Sequence, residues 1–219
     1  MTRTITVKGV GSISVPSDQV VLTLQLEAKD LEYDAAMSLA SKQIGHLERA
    51  VVKIGFAKGS LKTTDFNVTT SYEHEKDALG NYHSVFDGYV VAHSLKLAFD
   101  FETRRLSEVL SAIGSCPARP EMNIAFTVKN PSGVHELLLR DAAKNARLKA
   151  EVLSDAAGVT LGQLLTVDYN WFDINVFSRT RLQDEVLMSP MKADASFVAD
   201  IEPEDINVHD TATFVWEIE

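Results

Sequence analysis

The chain is short of cysteine, of positive charge and of long apolar runs, and each shortage closes off a class of protein. Among its 219 residues there is one cysteine, Cys116. No internal disulfide can form, and the redox compartment stays open. Pro117 follows the thiol directly and no nucleophile signature surrounds it, so a small side chain near a turn is expected rather than a catalytic thiol. Lys and Arg number 21 against 31 Asp and Glu, a formal net charge of -10. That balance argues against a nucleic-acid partner, whose phosphates need clustered cations, and against docking on anionic lipid. No run reaches the ~18 apolar residues of a membrane span. The opening MTRTITVKGVGS alternates like a strand and has no apolar leader core. As written it reads as cytoplasmic, or as periplasmic or extracellular if a leader has been removed.

Motifs that carry chemistry are missing too. Gly9-Val10-Gly11 runs into Ser12-Ile13-Ser14-Val15, which is strand material, and no third glycine opens a helix. A phosphate-cradling loop is therefore disfavoured; the glycines suit a bulge or a close backbone approach. Neither a G-x-S-x-G elbow nor a G-x-x-x-x-G-K-[ST] loop occurs. The six histidines, His46, His74, His83, His93, His135 and His209, show no H-E-x-x-H or H-x-H spacing. His74 and His83 flank one expected hairpin tip, where solvated side chains are the default and a surface metal site the sharper alternative. His93 falls on the apolar face of its strand and suits a hydrogen-bonded core position. Arg104, Arg105 and Arg119 read as salt bridging at a helix start. Glu202, Glu204 and Asp205 read as a solvated acidic loop, since no D-x-D-x-D-G pattern marks a calcium site. No catalytic, cofactor-binding or metal-ligating residue is assigned, and no cofactor is expected.

What the chain does have is alternation and helical stripes. Val20, Leu22, Leu24 and Leu26 alternate as one strand face, after the turn chemistry of Pro16-Ser17-Asp18 and the short β-branched runs at 4–7 and 12–15. Ala36, Ala40, Ile44, Leu47, Val51 and Ile54 form a helical stripe ending at Gly55. Phe66, Val68, Thr70 and Tyr72 share one strand face, residues 73–82 with Gly80-Asn81 read as a hairpin tip, and 89–101 is the longest strand signal. A second helix covers 104–113 with Thr103 as N-cap, ending at Gly114. A strand at 122–128 precedes Asn130-Pro131, which suits a helix start. That helix runs to Ala157 on a face of Leu139, Ala143, Ala146, Ala150, Leu153 and Ala157, small enough for close packing. Strands at 161–171 and 206–218 close the chain. The order β-β-α-β-β-α-β-α-β-β predicts an α+β fold, mixed or antiparallel sheets with three main helices packed on them. It is read as one domain over 1–219 with two sub-lobes as the variant. Strand–helix–strand recurs around 20–72 and 89–128, both helices ending in Ile-Gly, as in a duplication. Residues 172–205 have no clear period and are expected to be an irregular excursion.

Four stretches resemble the SIMPL-domain family: ITVKGVGSISVPSDQVVLTLQLEA at 5–28, IGFAKGSLKTTDFNVTTSY at 54–72, RDAAKNARLKAEVLSDAAGVTLGQLLTV at 140–167 and EPEDINVHDTATFVWEI at 202–218. They fall in family order over nearly the whole chain. Ser17 stands where a second proline is common, and 172–205 has no aligned counterpart. The resemblance implies an α+β fold and, as for bacterial relatives, an envelope- or stress-related role without established enzymology, with ring-like self-assembly suggested for some members; no catalytic residues come with it. The expected function is a non-enzymatic, self-associating binding or scaffold protein, a homo-oligomer open to a protein partner. The alternative is a small-molecule or metal-binding protein, or a hydrolase with a dispersed site.

Overall fold

The structure, a computed structural model, describes residues 3–76, 81–169, 176–180 and 201–219. Among the described residues ten elements follow in the expected order: β1 (Thr4–Val15), β2 (Gln19–Asp30), α1 (Tyr33–Lys53), β3 (Lys62–Lys76), β4 (Tyr82–Asp100), α2 (Thr103–Gly114), β5 (Glu121–Thr127), α3 (Pro131–Ala157), β6 (Leu161–Asp168) and β7 (Ile206–Ile218). The α+β expectation holds. Of the 172–205 excursion, 176–180 and 201–205 are described and the remainder lies outside the described residues, as do Gly80 of the expected hairpin tip and Trp171.

The chain divides into two compact units. One comprises Met1–Asp18, Thr127–Arg179 and Pro203–Glu219, the other Gln19–Phe126 and Thr180–Glu202. The first holds a three-stranded sheet of order β1-β7-β6 and the second a four-stranded sheet of order β3-β4-β2-β5. The opening strand–turn–strand is thus not a hairpin. Pro16–Asp18 carries the chain from one sheet to the other, because β1 pairs along its whole length with β7 (Thr4 opposite Glu217 to Val15 opposite Ile206) while β2 pairs with β4 (Gln19 opposite Asp100 to Asp30 opposite Tyr89). The two short runs expected at 4–7 and 12–15 are one continuous strand.

In the first unit the G-x-G acquires its reason. Ile5, Val7, Gly9, Gly11, Ile13 and Val15 share the face of β1 turned to α3. A Cβ on Gly9 would lie 2.8 Å from the Ala146 Cβ, and one on Gly11 2.9 Å from the Leu138 carbonyl carbon. Glycine lets the helix backbone settle on the strand backbone. The helix meets it with Val134, Leu138, Ala142, Ala146, Ala150 and Ser154, all buried. This face is offset from the one expected: Ala146 and Ala150 belong to it, but Leu139 and Ala143 are half-buried and Leu153 and Ala157 exposed. The helix begins as the sequence indicates, with the Asn130 side chain accepting the Gly133 N–H at 3.0 Å and Pro131 in the first turn, and Gly158 ends it at φ 70°.

In the second unit α1 and α2 cover one face of the four-stranded sheet. Val20, Leu22, Leu24 and Leu26 of β2, Leu95, Leu97 and Phe99 of β4, Leu47 and Val51 of α1 and Leu106, Val109 and Ile113 of α2 form its core. Each such side chain, fully buried, contributes about 1.5–3 kcal/mol of transfer free energy. Both β2 and β3 pair antiparallel with β4, so these two strands joined by α1 run parallel on either side of it. Likewise α2 joins β4 to β5 with β2 between them. Each strand–helix–strand module places its second strand beyond the other's first, so the repeat legible in the sequence is also a repeat of topology. Helix α2 starts one residue earlier than expected: its N-cap is Glu102, without a side-chain cap bond, and Thr103 is the first helical residue.

Candidate interaction surface

Beyond the main core of the second unit, β3 and β4 continue as an arm whose Val68 and Tyr89 pack against a small cluster of Ala28, Ala36, Ala40 and Val91. Strand β3 is an edge of its sheet and is exposed along almost all of its 15 residues. The register steps at Ser71 opposite Gly88 and Tyr72 opposite Phe86, leaving Asp87 as an extra residue on β4. Gly88 takes φ 119° there, and a Cβ on it would stand 2.6 Å from the Asp30 carbonyl oxygen, so both the dihedral and the space demand glycine. The bulge is pinned by polar contacts. The Asp87 carboxylate pairs with the Lys29 ammonium and accepts the Ser71 hydroxyl at 3.0 Å. The bond from Lys29 holds the Asp87 carboxyl below the usual carboxylate range.

The extra residue turns Phe86 onto the side of Tyr89. The rings of Tyr33, Tyr89, Phe86 and Tyr72 then follow one another edge to face at centroid separations of 5.6, 5.3 and 5.9 Å. Tyr33 stands at the start of α1. Farther along, Phe66 meets the His93 imidazole edge to face at 5.2 Å. Tyr72 is 56 % exposed, Tyr33 47 % and Phe66 46 %. A shallow hollow of about 570 Å³ opens among Tyr33, Val68, Thr69, Thr70 and Tyr89. The sequence alternation of Phe66, Val68, Thr70 and Tyr72 identified one wall of this surface. The contribution of Tyr33 and Phe86 was missed, because it depends on a helix start and on a bulge that period-2 counting passes over.

The residues singled out for chemistry are placed as follows. His93 is 7 % exposed; its Nε2 lies 2.8 Å from the Thr63 hydroxyl, and its Nδ1 finds no partner among the described residues. Burial draws its pKa below the ordinary histidine value against the opposing pull of Asp65. It is the core histidine its strand position indicates. His74 stands opposite Ser84, whose hydroxyl lies 3.2 Å from His74 Nδ1, and His83 stands opposite Glu75. These are successive rungs, so the two imidazoles project from opposite faces of the arm. Cys116 is buried and belongs to the same core cluster as Val109, Leu110 and Ala118. It lines a 520 Å³ hollow between α1 and α2 with His46, whose Nδ1 lies 3.2 Å from an Arg49 nitrogen. Arg104 and Arg105 both reach Glu108 at 3.3 Å, and Arg105 also donates to the Ile54 carbonyl at 2.6 Å and lies over the Phe56 ring. That second role, closing the end of α1, joins elements 51 residues apart and has no local signal.

The first unit contributes one polar pair that sequence reasoning did not find. The Tyr169 hydroxyl donates to Asp210 at 2.6 Å. The bond to that carboxylate, with some burial, pushes the phenol pKa up to about 12. Among the described residues, no three His, Cys, Asp or Glu side chains gather as a metal site would require, and no helix is long and apolar enough to cross a membrane.

The chain is 25 % identical over 163 residues to the "26 kDa periplasmic immunogenic protein" of Brucella melitensis biotype 1, a match covering 74 % of this chain. To the protein of the same name from Brucella abortus strain S19 it is 24 % identical over an equal length. In both cases the match spans 65 % of the relative's length. The sequence pattern of the SIMPL family, described as "Protein of unknown function (DUF541)", covers residues 5–216. With nearly every described element inside that span, the chain belongs to the SIMPL family.

Proposed function

We propose that this chain is a non-enzymatic binding protein that self-associates and serves an envelope-related role. The compartment rests on the periplasmic relatives. Self-association rests on one observation in the first unit. Its long helix α3 buries one stripe on the sheet yet leaves Leu137, Leu148, Val152 and Leu153 exposed, and the edge strand β6 adds Leu164, Leu165 and Val167. A helix apolar beyond its buried stripe marks a surface meant to be covered. The two ends of this sheet differ instructively. The β1 edge is blunted by α3, since Asn145 Oδ1 accepts the Val10 N–H at 3.0 Å and Asp141 Oδ2 the Ser12 N–H at 2.9 Å. Strand β6 carries exposed leucines on an edge.

Sedimentation velocity of the full chain over a wide concentration range tests the reading. Assembly is expected, and the double change Leu148→Glu, Val152→Glu should abolish it with an unchanged far-ultraviolet circular dichroism spectrum. A strict monomer at high concentration overturns self-association. Turnover of esters, phosphate esters or peptides by the purified chain overturns the non-enzymatic reading.

A further inference from the structure

Among the described residues no strand pairs with the outer edge of β3 in the second unit, and the pattern of that edge describes what would cover it. We infer that β3 accepts one extended strand of another polypeptide, with apolar side chains at alternate positions and Lys or Arg at both ends of its polar face. Three observations carry this. An edge strand presents a row of unpaired N–H and C=O groups that only another extended backbone satisfies in full. Residues 66–72, FNVTTSY, hold no charge, no proline and no glycine, so the side-chain devices that blunt an edge are absent there, and the extra residue of the bulge at Ser71 and Tyr72 lies on β4 and not on the edge strand itself. Acids bracket this run: Asp65 and Glu73 stand on the same face as Asn67, Thr69 and Ser71, and neither is ion-paired among the described residues. Phe66, Val68, Thr70 and Tyr72 stand on the opposite face, beside the hollow with Tyr33 and Tyr89.

An incoming strand would lay its apolar side chains beside that aromatic face and place cations opposite Asp65 and Glu73. Because the acids lie at both ends, the charge match holds for either strand direction. The same charges disfavour a second copy of β3. Antiparallel pairing about Thr69 would oppose Asp65 with Glu73 and Lys62 with Lys76, and like charges directly opposite destabilise a ladder. The inference therefore stands apart from self-association through the first unit, and either can fail alone.

Fluorescence anisotropy at low salt, with the full chain and a labelled peptide Lys-Val-Thr-Ile-Ser-Val-Thr-Phe-Lys, tests it against the same peptide ending in Glu at both sides. The Lys-ended peptide should bind about tenfold more tightly, the sum of two charge pairs gained and two repulsions avoided. Added salt should erase the preference. The double change Asp65→Lys, Glu73→Lys should invert it with an unchanged circular dichroism spectrum. No binding of either peptide, equal binding, or a preference indifferent to both salt and charge reversal overturns the inference. So does tighter self-association of the single variant Asp65→Lys without peptide binding, which would assign the edge to a second copy.

Discussion

Gly11 lies against the Leu138 carbonyl so closely that a Cβ at this position would stand 2.9 Å from the carbonyl carbon. Backbone meets backbone here, and no rotamer change can relieve the overlap. Gly11→Ala is expected to destabilise the first unit by about 3 kcal/mol, the upper range for overpacking. Urea unfolding followed by tryptophan fluorescence, to which Trp216 contributes from the buried face of β7, measures it. Gly114 has open space around it, so Gly114→Ala serves as a control and should change stability little. Equal effects at the two positions would mean that close packing of α3 on β1 is not the reason for the glycine.

His93 makes the second unit sensitive to mild acid. Its pKa is depressed in the fold, so below about pH 6.5 the unfolded chain takes up a proton that the folded chain resists. Stability is fully present above that pH and declines as pH falls toward the folded pKa. The thermal midpoint should drop between pH 7.5 and pH 5, and His93→Leu should flatten that part of the profile. An unaltered slope in the variant would assign the acid response to other groups.

Tyr169 acts at the opposite end of the scale. Its phenol keeps its proton up to about pH 12 through the bond to Asp210. The folded state therefore binds more protons than the unfolded state above the ordinary tyrosine value near 10, and stability is lost as pH rises from about 10 to 12. Ultraviolet titration of the five tyrosines should show a late component, and Asp210→Asn should bring it forward. A late component that persists in the variant would disprove the assignment.

The aromatic surface shows how far a linear reading reaches. Residues 66, 68, 70 and 72 alternate visibly, and their common face was legible because a strand's side chains have period 2. Phe86 joins Tyr89 on that side only because Asp87 is an extra residue, and a bulge breaks the very period that would reveal it. In α3 the start at Asn130-Pro131 and the stop at Gly158 were legible, being local backbone chemistry. The buried face was not. A helix rich in alanine and leucine on several sides offers more than one plausible stripe, and only the packing of α3 on its sheet turned Ser154 inward in place of Leu153.

Amino-acid order by itself determined where the elements lie, their types, the strand–helix–strand repeat and the family to which the chain belongs, because propensity, caps and periodicity act over a few residues. The tertiary structure alone decided that β1 and β2 enter different sheets, that Gly9 and Gly11 receive a helix, and that the acid-bracketed β3 ends the order of its sheet among the described residues. These depend on pairing between segments as much as two hundred residues apart, as between Thr4 and Glu217. Such pairing follows from which buried faces and backbone groups can be satisfied together, and no local pattern encodes it.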